Sequence, residues 1–406
     1  MGLRPLADVR ARNAGDLRGL NLETVLAVAM QHDGPFTRAE LIRATGLSAP
    51  TVGTLVSQLM QIGVVSDLGT GPSRGGRRPS SMEFNARHGY VAGIDLGPTR
   101  TRLALADLRG ERLADRILPT PQRLGPQALL ARIAGALRSL MEETGVPASR
   151  LAAVGAGAPG AVDRGRGLVT SAPNLQGWTQ VPMRDLLESS LQAPVQVEND
   201  VNLAVLGEHW RGAARGHDTC AFVFVGTGIG AGILIGGELH RGHHYLAGEI
   251  GVMCMGPQFV DVDYGERGCF ETLAGLHGLA ERWPQASRED PAGWVSGLFE
   301  AAMSGDRRAR RIVDETARLI AIAVANVAAV VDPTLVVLGG ALFAQAESLV
   351  HDVRRLVERI YPSPIEIVPS ALGKDAPLSG CLLMAANDAR ERLRHELREA
   401  RMAASS

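Results

Sequence analysis

Lysine is almost missing from this chain. Of its 42 basic residues one is lysine, Lys374, and the rest are arginine. Arginine favours bidentate contact with planar anions, and an arginine excess is also what a GC-rich coding sequence produces. Cysteine is scarce: Cys220, Cys254, Cys269 and Cys381 make no CxxC pair and are too scattered for a disulfide framework. No run of about 18 uninterrupted apolar residues occurs, which excludes a transmembrane helix. The first twenty residues carry Arg4, Arg10, Arg12 and Arg18 without an apolar stretch, so no secretory leader is read and a cytoplasmic protein is expected. A net charge of −1 gives no chain-wide signal for nucleic acid.

What is present points to a folded chain of two to four domains: 406 residues, 45% hydrophobic and 21% charged. The charge is uneven. Residues 1–90 hold ten Arg against seven acids, whereas the remainder is acidic, 32 against 36. Residues 20–68 have helical period and few glycines. Residues 69–88 (GTGPSRGGRRPSSMEFNARH) read as a wing or linker, and from Gly89 strand-like runs alternate with helical patterns. Strands are expected at 90–96, 102–107, 151–156, 194–198, 220–226, 230–236 and 334–338. Helices are expected at 126–144, 201–214, 271–283, 306–331, 345–361 and 379–400.

In the first region Leu22, Val25, Leu26 and Ala29 mark one apolar helix face. Thr37 caps a second helix, Glu40 completes a capping box, and Gly46 ends it. Ser48 caps a third helix whose Val52, Leu55, Val56 and Leu59 face inward. Two short helices joined by Gly-Leu-Ser make a helix-turn-helix pattern. Thr51, Thr54, Ser57, Gln58 and Gln61 face outward and suit base edges in a major groove. That helix has no Arg or Lys, so phosphate neutralisation falls to Arg38, Arg43 and the linker's Arg74, Arg77 and Arg78. An arginine in such a glycine-rich stretch suits a narrow A·T-rich minor groove. Helix trimer and basic wing in this order predict DNA binding through Arg38, Arg43, Ser48, Thr51, Thr54, Gln58, Arg74, Arg77 and Arg78.

In the second region three glycine turns follow strands: Asp95-Leu96-Gly97 with Thr99, Gly226-Thr227-Gly228, and Gly339-Gly340. Such turns bring amides to a phosphate, and Asp95 suits a metal–phosphate group. Their order suggests two related halves in a two-lobed sugar-kinase or actin-like architecture. Between them, VQVENDVN (195–202) ends a strand with Glu198, Asn199 and Asp200 expected to project into a cleft. Carboxylate plus amide is the donor and acceptor set for adjacent hydroxyls, and a carboxylate there can also take a hydroxyl proton in phosphoryl transfer. Glu249 and Glu271, each among glycines, are further carboxylates for such a site.

Over residues 20–385 the chain resembles the ROK family (repressor, open reading frame, kinase), and within it xylose-repressor-like transcriptional regulators. The likeness rests on the winged helix, GGRRP, GIDLG with DxGxT spacing, APNLQGW (172–178), VENDVN, GTGIGAG, AGEIG and VLGGAL. The resemblance implies an α/β chain: an N-terminal winged helix-turn-helix at 1–70, a basic wing or linker at 71–88, and two lobes of an actin-like, ribonuclease H-like body at 89–200 and 201–406. The last helix would pack back on the first lobe. It also implies a DNA-binding repressor whose sugar site is an effector sensor. By motif, Asn199 and Asp200 bind sugar hydroxyls, with Asp200 at the kinase base position; Glu249 and Glu271 add two acids, and Asn174 lies in a loop near them. Asp95, Gly97, Thr99, Gly226, Thr227, Gly228, Gly339 and Gly340 become vestigial nucleotide turns. The partners implied are operator DNA, a monosaccharide or related sugar, and a second copy in a homodimer or tetramer, with no membrane.

Two departures bear on chemistry. The family reads Glu-x-Gly-His where this chain has Glu249-Ile250-Gly251-Val252, and its zinc signature Cys-x-Cys-Gly-x-x-Gly-Cys falls on Val262, Tyr264 and Cys269. One zinc ligand of four remains, so no structural zinc and no cofactor are expected, and Val252, Val262 and Tyr264 are expected to substitute by apolar packing. Pro98 follows the first glycine turn and removes an amide donor from the phosphate side. A sugar-responsive repressor that is not an enzyme is therefore expected, the alternative being an active ATP-dependent sugar kinase with an accessory DNA-binding domain.

Overall fold

The computed structural model describes residues 14–70, 80–121, 123–265, 267–287, 291–345 and 347–403. The described residues start with a helical head: α1 (Ala14–Gln31), β1 (Phe36–Thr37), α2 (Arg38–Thr45), α3 (Ala49–Gln61), β2 (Val65–Thr70) and β3 (Ser80–Phe84). Local capping sets these boundaries. The Thr37 backbone amide donates to Glu40 Oε2 at 2.7 Å while the Glu40 amide donates to Thr37 Oγ1 at 3.3 Å. Gly46 closes α2 in the left-handed region, with φ 69°, and Ser48 caps α3. Leu22, Val25, Leu26, Ala29, Val52, Leu55, Val56 and Leu59, the two predicted inner faces, are all buried. β3 pairs with both β1 and β2, so residues 80–84 form the central strand of the head's sheet.

The first lobe follows: β4 (Tyr90–Leu96), β5 (Arg100–Asp107), β6 (Arg112–Pro119), α4 (Pro126–Glu143), β7 (Leu151–Ala158), β8 (Ala161–Asp163), β9 (Leu168–Ser171), β10 (Thr179–Val181), α5 (Met183–Leu191) and β11 (Val195–Asn199). Helix α6 (Asp200–Arg211) leads to the second lobe. That lobe holds β12 (Cys220–Val225), β13 (Ile229–Ile235), β14 (Glu238–Leu239), α7 (Cys269–Ala274), α8 (Leu276–Arg282), α9 (Pro291–Met303), α10 (Arg307–Val331), β15 (Leu335–Gly339), α11 (Ala341–Ala344), α12 (Glu347–Ile360) and β16 (Glu366–Pro369). α13 (Ala376–Ala403) ends the described chain. Helix 271–283 of the sequence reading is two helices, broken at Gly275.

The two lobes are built on one plan. The first sheet has strand order β11-β7-β4-β5-β6 and the second β14-β13-β12-β15-β16. In each, an antiparallel meander (β4-β5-β6; β12-β13-β14) gains two parallel strands on its far side. The two related halves expected from the echoing glycine turns are thus visible in the topology.

Helix α13 packs against α6 and the first sheet. Its crossing with α6 is at backbone contact: a Cβ at Gly380 would lie 2.0 Å from the Leu203 carbonyl oxygen, and one at Gly207 2.2 Å from that of Ala376. On its other side α13 meets β7, where a Cβ at Gly155 would lie 2.1 Å from the Cys381 carbonyl oxygen. The head joins this frame without a gap. Its core runs from Leu26, Val56 and Phe84 into Val91, Ala104 and Ala106 of the first sheet and Leu378, Leu382 and Ala386 of α13.

Candidate functional site

A cavity of about 540 Å³ lies between the lobes, lined from the first by Pro98, Asn174, Asn199 and Asp200 and from the second by Thr227, Gly228, Glu249 and Glu271. All five residues read as sugar ligands therefore meet in one cleft. β11 delivers two of them. Asn199 caps α6, its Oδ1 accepting from the Val201 and Asn202 amides at 2.9 and 3.0 Å. Its Nδ2 donates to the Gly160 carbonyl at 2.9 Å, so only one N–H remains for a ligand. Asp200 follows as the first residue of α6 and accepts from the Val201 amide at 2.9 Å.

Acids crowd this cleft. Burial, then the neighbouring Asp95 and Glu249, push the Asp200 carboxyl up to about 8. Burial pushes Asp95 up to about 6 although Arg102 opposes it. Burial and then Glu271 raise Glu249, and burial raises Glu271. Glu271 is held by the Ile229 amide, which donates to its Oε2 at 2.9 Å. A carboxyl kept neutral offers an O–H donor and a carbonyl acceptor, both useful to a polyol.

Glu198 corrects the sequence reading. It does not project into the cleft but is buried, at 2% exposure. Its Oε2 pairs with Arg241 Nε at 2.7 Å and its Oε1 accepts from Asn202 Nδ2 at 3.0 Å. The pair ties β11 of the first lobe to the loop after β14 of the second.

The glycine turns sit at the cleft ends of the sheets. Gly97 and Thr99 lie in the β4–β5 turn, where the Gly97 amide donates to the Arg100 carbonyl at 3.1 Å. Gly226 turns β12 into β13 by donating to Gly228 at 2.9 Å, and Gly339 and Gly340 join β15 to α11. Of these turn residues Thr227 and Gly228 line the cavity, while Asp95 reaches it through its field on Asp200.

A model of the ROK family matches residues 91–388. The chain belongs to the ROK family. Its body is accordingly the mixed α/β, sugar-kinase-like actin fold of that family. It is 28% identical over 373 residues to the xylose repressor of Caldicellulosiruptor bescii, covering 87% of this chain and 92% of that protein. It is 32% identical over 306 residues to the glucokinase of Thermotoga maritima, covering 71% of this chain and 95% of that one. In fold it is similar to a ROK family transcriptional regulator, a homologue of the E. coli MLC protein, with TM-score 0.76 and 21% identity over 95% of this chain and all of the other.

The residues present do not fit the zinc of the ROK signature. Val252 and Val262 carry only hydrocarbon. Cys269 is buried, its Sγ accepting from the Met255 amide at 3.5 Å, and the exposed Cys254 donates to the Gly256 carbonyl at 3.2 Å. Apolar packing does not replace the metal as expected either. Val252 and Val262 are 61% and 49% exposed, and only Tyr264 packs against the core of the second lobe. The segment sits at the cleft rim, with too little covering it to bury two valines.

In the head, Ser48, Thr51 and Thr54 share one side of α3. Ser48 Oγ and Thr51 Oγ1 bond at 2.8 Å, and Thr54 Oγ1 donates to the Pro50 carbonyl at 3.0 Å. Ser48 and Thr54 are exposed, Thr51 and Gln58 half-buried, and Arg38 and Arg43 exposed on α2. Arg74, Arg77 and Arg78 lie outside the described residues. Sequence reasoning missed Phe224, Tyr245, Tyr264 and Arg267, which also line the cleft. Tyr264 and Arg267 stand inside the segment aligned to the zinc signature. Tyr245, on a loop with φ 59°, had no local signal.

Proposed function

We propose that this chain is a sugar-responsive transcriptional repressor. It binds operator DNA through its head, a winged helix-turn-helix, and takes a monosaccharide or related sugar between its lobes. α3 enters the major groove with Ser48, Thr51, Thr54 and Gln58. Arg38 and Arg43, and Arg74, Arg77 and Arg78 in the wing between β2 and β3, neutralise phosphates. Two copies meet a near-palindromic operator as a homodimer, because half-site symmetry mirrors protein symmetry. The protein works in the cytoplasm, and the domain limits are those of head, wing and two lobes.

The observation that carries this reading is a single packed body holding both a cleft where Asn174, Asp200, Glu249 and Glu271 converge and a head whose third helix turns a polar side outward. The xylose repressor relative, matched along 87% of this chain, supports it. One feature counts against efficient phosphoryl transfer: Pro98 lines the cleft without an amide donor. Ligand closing the lobes shifts the head only by its differential affinity for the two states, typically about 1–3 kcal/mol.

A second reading, an active sugar kinase, is favoured by the glucokinase relative and by an acid at the head of α6. Gel shifts with DNA from the chain's own promoter region, with and without a monosaccharide panel, test the repressor. A shift weakened by Arg77→Ala and Arg78→Ala, with a flatter salt dependence, is expected. No shift under any of these conditions overturns it. ADP release with ATP, Mg²⁺ and the same panel, abolished by Asp200→Asn, would establish the kinase instead.

A further inference from the structure

The turn between β5 and β6, residues 107–111, is gripped from two sides. From below, the C-terminal end of α6 rests on it. Trp210 lies so close that a Cβ at Gly110, whose φ is 76°, would sit 2.4 Å from the indole ring. Arg211 stacks over Trp210 at 3.7 Å and pairs with Glu111. From above, the turn holds the head. Arg109 donates to the His32 carbonyl just beyond α1 and lies over the Phe84 ring of β3 at 5.6 Å, while the Leu108 amide donates to the Ala86 carbonyl at 3.0 Å. The Asp107 carboxylate stiffens the turn by accepting the Arg109 and Glu111 amides at 2.8 and 3.1 Å.

Helix α6 is about 18 Å long, twelve residues at the usual rise. Asp200 stands at its cleft end and Trp210 and Arg211 at the other. Its middle is pinned by the glycine crossing with α13, which is itself pinned to β7. Its cleft end also rests on the second lobe, where a Cβ at Gly232 of β13 would lie 2.5 Å from the Val201 carbonyl oxygen, so α6 moves as a rod and carries displacement of that lobe to Trp210 and Arg211. α13 also touches α1, but mainly through apolar packing with, among the described residues, one ion pair, Arg398 to Glu23 at 3.4 Å, which fixes direction weakly. Arg109 is directional, and its hold is incomplete: Nη2 is buried with no hydrogen-bond partner among the described residues. A buried unsatisfied donor costs free energy, so the Arg109 contact is held at a penalty.

We propose that the 107–111 turn is a relay that passes the position of α6 to the head, with Arg109 as its positioning residue. Occupation of the cleft at Asp200 is thereby felt at the end of α1 and in β3. The relay rests on the sensor-repressor reading for its use, but the coupling is a property of the chain alone.

Amide hydrogen exchange on the full-length protein tests it without DNA or sugar. Arg109→Ala is expected to speed exchange in the last turn of α1 and in β3 by about tenfold, as loss of a hydrogen bond from a charged group allows. Trp210→Ala, on the α6 side of the turn, is expected to speed the same segments. The double variant is expected to go no further than Arg109→Ala, and β12 and β15 are expected to stay unchanged throughout. A merely structural Arg109 would leave Trp210→Ala without effect on the head. That result overturns the relay, as does a double variant whose effect is the product of the single ones. Should an alanine variant fail to fold, Arg109→Lys and Trp210→Phe carry the same comparison at smaller amplitude. A chain that ignores operator DNA overturns the repressor reading and leaves this exchange pattern standing.

Discussion

The two sheets share a strand plan but spend the same hairpin differently. In the first, the hairpin after β5 returns as an eight-residue strand, β6, and its turn reaches out to the head. In the second, Gly236 and Gly237, both at positive φ, turn β13 into a two-residue β14. The chain then runs into the loop that carries Arg241, Tyr245 and Glu249 to the cleft. One sheet's hairpin thus serves as a mooring for the head, and the other's as a wall of the cleft. A fold plan sets where a loop emerges; the loop's residues decide what it does.

The largest expected effect comes from cutting the tie that the second hairpin makes across the cleft. Arg241→Ala leaves Glu198 buried without its ion-pair partner, held only by the Asn199 amide and Asn202 Nδ2, at a cost of about 3 kcal/mol, read from urea unfolding at pH 7. Glu198→Gln with Arg241→Met, which removes both charges, is expected to recover most of that loss. If Arg241→Ala costs nothing, the second hairpin does not brace the lobes.

The contrast between lobes is sharpened by pH. The folded chain keeps a proton on Asp200 up to about 8, whereas the unfolded chain releases it near the ordinary aspartate value of 3.8. The unfolded state then binds fewer protons, so stability falls as pH rises from about 4 to about 8 and levels off beyond. Asp95, Glu249 and Glu271 act in the same direction. Thermal midpoints across this range are expected to fall less steeply for Asp200→Asn than for the unaltered chain, and Glu249→Gln is expected to flatten the slope less. Equal slopes in all three would remove Asp200 as the dominant group.

The smallest effect is expected in the head. Thr37→Ala loses the reciprocal cap of α2 at about 1 kcal/mol, seen as faster exchange in α2 while the second lobe is unchanged. A loss felt equally in both lobes would mean that head and body unfold as one unit.

The head was legible because its boundaries are local: Thr37 with Glu40, Gly46 and Ser48 each act within a turn of helix. β4, β7, β12 and β15 were legible as apolar runs, which buried strands with parallel neighbours require. β6 was not. It is an edge strand alternating exposed and half-buried positions, with Arg112, Asp115 and Arg116 along it. The convergence of Asn174, Asp200, Glu249 and Glu271 came through the family's motifs. Glu198 was misplaced because its partner lies 43 residues on, and Val252 and Val262 because an apolar side chain does not by itself guarantee a cover.

The seamless join of head and body bears on how such a regulator can be re-engineered. Lifting out residues 14–84 whole would strip Val91, Ala104, Leu378 and Leu382 of their cover and leave a greasy scar on both pieces. Grafting a new operator preference onto this scaffold is therefore better done by repainting the solvent side of α3, residue by residue, than by transplanting a foreign head.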